Sequence, residues 1–265
     1  MPALTILLVH GAWMNSACWD GFRARYESAG HTVLAPSWPH VPDDVAAARR
    51  GDDPALVDVG LDEIVASYEA VVRAQPGPVV LVGHSFGGLV VQLLLDRGVG
   101  VAGVAIDSAP PKGVKPSPSA ARASLPVALH AGRVHTMTEP LFARDFANTS
   151  PAAVQQALWE RYAVATPGRP FGQLLKGDAA KLHWKDPRPP LLMVAGEEDR
   201  TVTAKMNRAN ADRWERGPSE TALVGLPHRD HALIVSEGWE EVADLSLAWL
   251  VEHAGSGQGT YTLPP

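Results

Sequence analysis

Val79-Val80-Leu81-Val82-Gly83-His84-Ser85-Phe86-Gly87, continued by Gly88-Leu89-Val90-Val91-Gln92-Leu93-Leu94, decides how the whole chain is read. Four aliphatic residues in a row, three of them β-branched, predict a buried strand, and the apolar stretch from Gly87 to Arg97 predicts a helix. The G-x-S-x-G pattern between them leaves room only for a sharp strand–turn–helix reversal. Such a turn strains the backbone and brings strand and helix main chains together, so positions 83 and 87 have little space for a Cβ. The same turn lifts the Ser85 hydroxyl off the sheet and makes it the candidate nucleophile. The alternative is a serine that merely caps the following helix.

Five further apolar runs flank this segment: Leu4–His10, Thr32–Ser37, Val101–Asp107, Leu191–Gly196 and Thr221–Leu226. They are continuously apolar rather than alternating, as expected of parallel strands covered on both faces. Leu61–Ala74 places Leu61, Ile64, Val65, Tyr68, Val71 and Val72 at nearly helical period, and Glu240–Glu252 does the same with Val242, Leu245, Trp249 and Leu250. Strand alternating with helix predicts βαβ units and a parallel α/β sheet of about six strands. Residues 110–190 hold only helical pieces and prolines, too long for a plain crossover, and predict a helical insertion over the sheet. Within it, Ser150-Pro151 predicts an N-cap with proline in the first turn of a helix running through Gln155, Leu158 and Tyr162. The domain division is therefore a core of residues 1–109 and 191–254, a helical cap over 110–190, and a flexible Gly/Ser-rich tail over 255–265. Pro36–Gly60, with four prolines and the acid pairs Asp43-Asp44 and Asp52-Asp53, reads as solvated loop without a histidine partner for a metal.

The chain has 265 residues, 46% of them hydrophobic, which suits one α/β domain with one insertion. A net charge of −6, with 23 scattered basic residues, offers no footprint for nucleic acid or an anionic membrane surface. The lone Cys18 allows no intramolecular disulfide, the first basic residue is Arg23, and no window reaches the length of a membrane span. A cytoplasmic protein acting on a small molecule is the expectation. No nucleotide motif, zinc spacing or phosphate loop appears, so neither cofactor nor metal is called for.

With Gly83-His84-Ser85-Phe86-Gly87 and the opening His10-Gly11-Ala12-Trp13, the chain resembles the α/β-hydrolase superfamily, and within it the small bacterial serine-dependent hydrolases. The resemblance covers residues 4–253, although the two antiparallel strands that usually precede the first motif are missing. It implies a nucleophile, acid, base order along the chain. The base is then His231 or His228, in Pro227-His228-Arg229-Asp230-His231; His231 is preferred because a terminal helix follows it as in the family. The acid implied is Asp199, ahead of the Arg200-Thr201-Val202 run, with Asp107 at the end of the preceding strand as rival. Motif match assigns the oxyanion donors to the backbone amides of Ala12 and Phe86. Trp13, Trp38 and Trp159 are candidate pocket walls, with Trp19, Trp184, Phe142 and Phe146 as further candidates. The implied activity is cleavage of a small neutral or apolar carboxylic ester or lactone through an acyl-enzyme. A hydroxynitrile-lyase-like or perhydrolase-like enzyme, or a ligand receptor on the same fold, are the alternatives.

Overall fold

The structure is a computed structural model that describes residues 3–176 and 179–255. The predicted tail lies outside the described residues from 256 onward. Strand β1 (Thr5–Val9) leads through a 3₁₀ turn and α1 (Asp20–Ser28) to β2 (Thr32–Leu34). Then follow α2 (Val45–Arg50), α3 (Leu61–Arg73), β3 (Val79–His84), α4 (Phe86–Asp96) and β4 (Gly103–Ile106). The next stretch holds α5 (Pro118–Leu129), β5 (Val134–His135), α6 (Glu139–Leu141), a π-turn over Phe142–Phe146, α7 (Ala152–Tyr162), β6 (Thr166–Pro167) and α8 (Arg169–Lys176). The chain closes with β7 (Leu191–Gly196), α9 (Ala204–Trp214), β8 (Thr221–Leu226) and α10 (Trp239–His253).

Six strands pair in the order β2-β1-β3-β4-β7-β8, every pair parallel. β3, β4 and β7 are buried at every residue, which is why their sequences carry no polar alternation. The edge strands differ: β2 is partly exposed, and β8 is half-buried along most of its length. Helix α4 is buried from Phe86 to Leu95 and packs on β1, β3 and β4. α1 and α10 pack together through Phe22 against Trp239 and a Tyr26 hydroxyl that donates to the Ala243 carbonyl at 2.8 Å.

Register fixes where the chemistry sits. Val9 pairs with Gly83, His84 with Ile106, Ile106 with Val194, and Gly196 with Leu226. Five strands thus end within three residues of one another, and the loops that leave them meet along one edge, where ligands of open parallel sheets bind.

Three details depart from the sequence reading. Pro36–Gly60 is not all loop: Asp44 caps α2 through the Ala47 amide at 2.8 Å, and Asp53 caps a 3₁₀ turn over Pro54–Asp58. Asp44 and Asp53 are therefore spent on helix caps, Asp52 and Asp53 pair with Arg50 and His40, and Asp43 accepts the hydroxyls of Ser16 and Ser37. Residues 110–190 are not free of strand, since β5 and β6 form a short antiparallel ribbon. Pro151, not Ser150, is the N-cap of α7. Among the described residues no helix is long and apolar enough to cross a membrane.

Candidate active site

Ser85 occupies a backbone conformation of φ +57°, ψ −120°, a strained region for any residue with a side chain. The surroundings impose it. A Cβ at Gly83 would stand 2.1 Å from the Gly87 carbonyl oxygen, and one at Gly87 would stand 2.0 Å from that of Val9. The Ser85 amide donates to the Ile106 carbonyl at 2.9 Å, and its carbonyl accepts from the Ala109 amide at 2.9 Å, so the end of β4 and the loop that leaves it hold the turn.

From Ser85 a chain of hydrogen bonds runs across the sheet edge. Ser85 Oγ lies 3.0 Å from His231 Nε2, and His231 Nδ1 lies 2.6 Å from Asp199 Oδ2. The side chains of His231 and Asp199 have no exposed surface. Asp199 Oδ1 accepts the amides of Thr201 and Val202 at 2.6 and 2.8 Å, which fixes the carboxylate and leaves Oδ2 for the imidazole. Since a carboxylate only accepts, Nδ1 carries the proton and Nε2 is free to accept from the Ser85 hydroxyl.

His231 is held from several directions. Its carbonyl accepts Nε2–H of His84 at 2.9 Å, and the Phe146 ring stands edge-on to the imidazole at 4.6 Å. Beside it, Asp230 accepts the amide and hydroxyl of Thr149, both at 2.7 Å. The Ala232 amide donates to the Phe146 carbonyl at 3.0 Å. The same segment reaches the acid loop, through Asn148 to the Glu198 carbonyl at 3.0 Å and Thr201 to the Asp145 carbonyl at 2.7 Å. Residues 145–149 thus tie the Asp199 and His231 loops together.

The rival residues are placed elsewhere. His228 is exposed at φ +60° in the turn before Asp230. Asp107 is fully buried beside Asp199 and makes no hydrogen bond to His231. Burial, then the Asp199 charge, push the Asp107 carboxyl well above the usual carboxylate range.

The first loop abuts Ser85, since a Cβ at Gly11 would stand 2.7 Å from Ser85 Cβ. Among the described residues the Ala12 and Phe86 amides are not donated to any backbone or side-chain acceptor. His10 braces this loop: Nδ1–H donates to Gly11 O at 2.8 Å, and Nε2 accepts the Trp38 amide at 2.9 Å. Burial lowers its pKa to about 4, so it is a neutral strut.

A cavity of about 450 Å³ opens from Ser85. Trp13, Phe86 and Phe171 form its inner wall, and Ala120, Val202 and Met206 pack together along one side. Leu125 and Leu175, both strongly exposed, stand in its lining, as do Lys112 and Lys176. Of the three tryptophans expected in the pocket, Trp13 lines it. Trp38 stacks on His10 at 5.1 Å, behind the first loop. Trp159 is turned away, its Nε1 donating to Met137 O under the Arg49 guanidinium. Phe142 and Phe146 back His231, Trp19 packs on Phe22, and Trp184 on Trp214. The walls contributed by α5 and α8 escaped the sequence reading. On α5 the lining is made of small residues, Ala120, Ala121, Ala123 and Ala128, which carry no distinguishing motif.

His84, Asp107 and His231 bring ligand-type atoms within 4.8 Å of one another. Their donor set does not suit a metal, because both nitrogens of His231 and Nε2 of His84 are already committed.

Against known proteins, the profile of the "Alpha/beta hydrolase family" matches residues 6–245. A carbendazim hydrolyzing esterase of Nocardioides sp. is 34% identical over 91 residues, 34% of this chain and 35% of the relative. A probable esterase of Oryza sativa subsp. indica is 43% identical over 94 residues, 34% of this chain and 31% of the relative. The matched stretch thus spans about a third of the length of these curated relatives. Among solved structures, an extracellular alpha/beta-hydrolase from a Paenibacillus species superposes with a TM-score of 0.72 at 21% identity, covering 93% of this chain and 98% of that one. At that identity the likeness is one of fold.

Proposed function

Because the chain belongs to the alpha/beta hydrolase family, we propose that it is a serine hydrolase acting on a neutral or apolar carboxylic ester or lactone. Ser85 Oγ attacks the carbonyl carbon while its proton passes to His231 Nε2, and the imidazolium then protonates the leaving oxygen. Water attacks the resulting acyl-enzyme by the same route in reverse and frees the acid. Asp199 holds the imidazole in the tautomer with Nδ1 protonated and stabilises the imidazolium. The amides of Ala12 and Phe86 receive the oxyanion. Residues 110–190 serve as a cap, and the apolar walls of its helices α5 and α8 favour an apolar acyl or alcohol group. No step of this scheme uses a cofactor.

The observation that carries the reading is the unbroken relay of 3.0 and 2.6 Å from Ser85 through His231 to Asp199, with Ser85 in the lining of an apolar cavity. Esterase names among the relatives point the same way. The test is a panel of nitrophenyl esters, thioesters and lactones of graded acyl length, run beside fluorophosphonate labelling. Steady turnover of oxygen esters, with label on the wild type and none on Ser85→Ala, is the expected result. Undiminished labelling of Ser85→Ala would sink the nucleophile assignment, and one slow acylation without turnover would make the protein a receptor.

A further inference from the structure

Behind the relay, a second carboxyl is packed against the first. Asp107 follows β4 at φ +41° and is fully buried. Its Oδ1 accepts the Gly196 amide at 2.8 Å and the Asn207 side-chain amide at 3.4 Å. That Asn207 amide also reaches the Val202 carbonyl at 3.4 Å, and its oxygen accepts the Ser108 amide at 3.2 Å. One buried side chain therefore links the Asp107 turn to the loop whose amides hold Asp199. Oδ2 of Asp107 is buried and receives no amide, hydroxyl or cationic donor among the described residues. Within hydrogen-bonding reach of the Asp107 side chain lies the carboxyl of Asp199.

The remaining titratable neighbours supply no fixed positive charge. Asp230 adds a third acid, and His84 and His231 each present a nitrogen within 4.8 Å. Burial holds His84 well below the usual imidazole range, so it is neutral. Two carboxyls in contact in a dry site cannot both ionise. Asp199, with His231 and two amides on it, is the one placed to keep the charge; Asp107 keeps the proton.

We propose that Asp107 is a positioning residue of the relay, a neutral carboxylic acid whose Oδ2–H donates to the Asp199 carboxylate. The bond steadies Asp199 against His231 and draws off part of its charge, so that the imidazole stays free to accept the serine proton at lower pH. This rests on the reading of Ser85, His231 and Asp199 as the triad.

The test compares Asp107→Leu, which fills the space without a donor, with Asp107→Asn, whose amide can donate to Asp199 while its oxygen keeps the Gly196 bond. Losing a donor to Asp199 leaves that carboxylate more basic, so the imidazolium is favoured. The acid limb of kcat/KM in Asp107→Leu should move about one unit to higher pH, with about a tenfold loss near neutrality. Asp107→Asn should recover most of that loss and return the limb to its wild-type position. The infrared C=O stretch of a protonated carboxylic acid, present at pH 8 in the wild type, should be missing from Asp107→Asn; this decides the proton even if Asp107→Leu fails to fold. An unchanged band in Asp107→Asn, or inactivation as deep as that of Asp199→Asn, overturns the proposal. If Asp199→Asn itself retains wild-type turnover, the triad reading fails and takes the positioning role of Asp107 with it, even with the band in place.

Discussion

Asp199→Asn keeps the volume and shape of the side chain and removes its charge. In this geometry the orientation of the new amide is decided by the protein. Thr201 and Val202 point two N–H groups at Oδ1 from 2.6 and 2.8 Å, so the asparagine oxygen must stay there. Its NH₂ then replaces Oδ2, 2.6 Å from His231 Nδ1, and donates to it. Nδ1 becomes the bare nitrogen and the proton moves to Nε2, facing Ser85 Oγ at 3.0 Å. A protonated Nε2 cannot take the serine proton. In the serine protease triad the same tautomer error costs about 10⁴ in turnover, roughly 5.4 kcal/mol of barrier. Turnover of a nitrophenyl ester should fall by that order, while the melting temperature moves only a few degrees because the packing is kept. A well-folded Asp199→Asn enzyme within about tenfold of wild type, beside an inactive Ser85→Ala, would refute the reasoning.

The two histidines of the last loop should separate cleanly. His231→Ala loses several orders of magnitude in kcat, whereas exposed His228→Ala stays close to wild type; the reverse would reassign the base. Gly87→Ala forces a Cβ to 2.0 Å from a backbone oxygen that cannot swing aside, so it should cost about 3 kcal/mol and lower the melting temperature by roughly 10 °C. Gly77→Ala, where nothing lies within 4 Å of the new atom, is the matched control and should be nearly neutral. Stability should fall as pH drops from about 6.5 to about 4, because the unfolded chain protonates His10 in that window and the folded one does not. Buried His84 acts in the same direction. Full expression of the His10 shift is about 3 kcal/mol, and His10→Gln should flatten the melting-temperature profile; an unaltered slope would count against the buried neutral imidazole.

Much of this architecture could be read from residues alone, for a physical reason. Strands buried on both faces, such as Val79–His84 and Leu191–Gly196, have unbroken apolar sequences, and the strain around Ser85 requires glycine at fixed offsets. What was hidden depends on where side chains meet across the chain. Trp38 looked like a pocket wall, yet its partner is His10, 28 positions earlier. Asp44 and Asp53 looked like solvated acids because a cap is defined by the backbone it bonds, not by composition. The cavity walls on α5 and α8 carry no motif, since any small or apolar residue fills that role. Two carboxyls 92 positions apart, Asp107 and Asp199, give no linear sign that they are neighbours.

The proposed nucleophile, Ser85, follows the central strand β3, but His231 follows β8, which pairs only with β7 and is the last strand of the sheet. Contacts spanning 146 residues close slowly during folding, after the local ones. On the proposed triad, Ser85 is expected to stay unactivated on a partly folded chain until the far edge of the sheet has docked. The same order runs backwards under stress. Fraying at that edge strand is expected to break the Ser85–His231 contact before the centre of the sheet opens, so activity should be lost to heat or denaturant while most of the backbone is still in place.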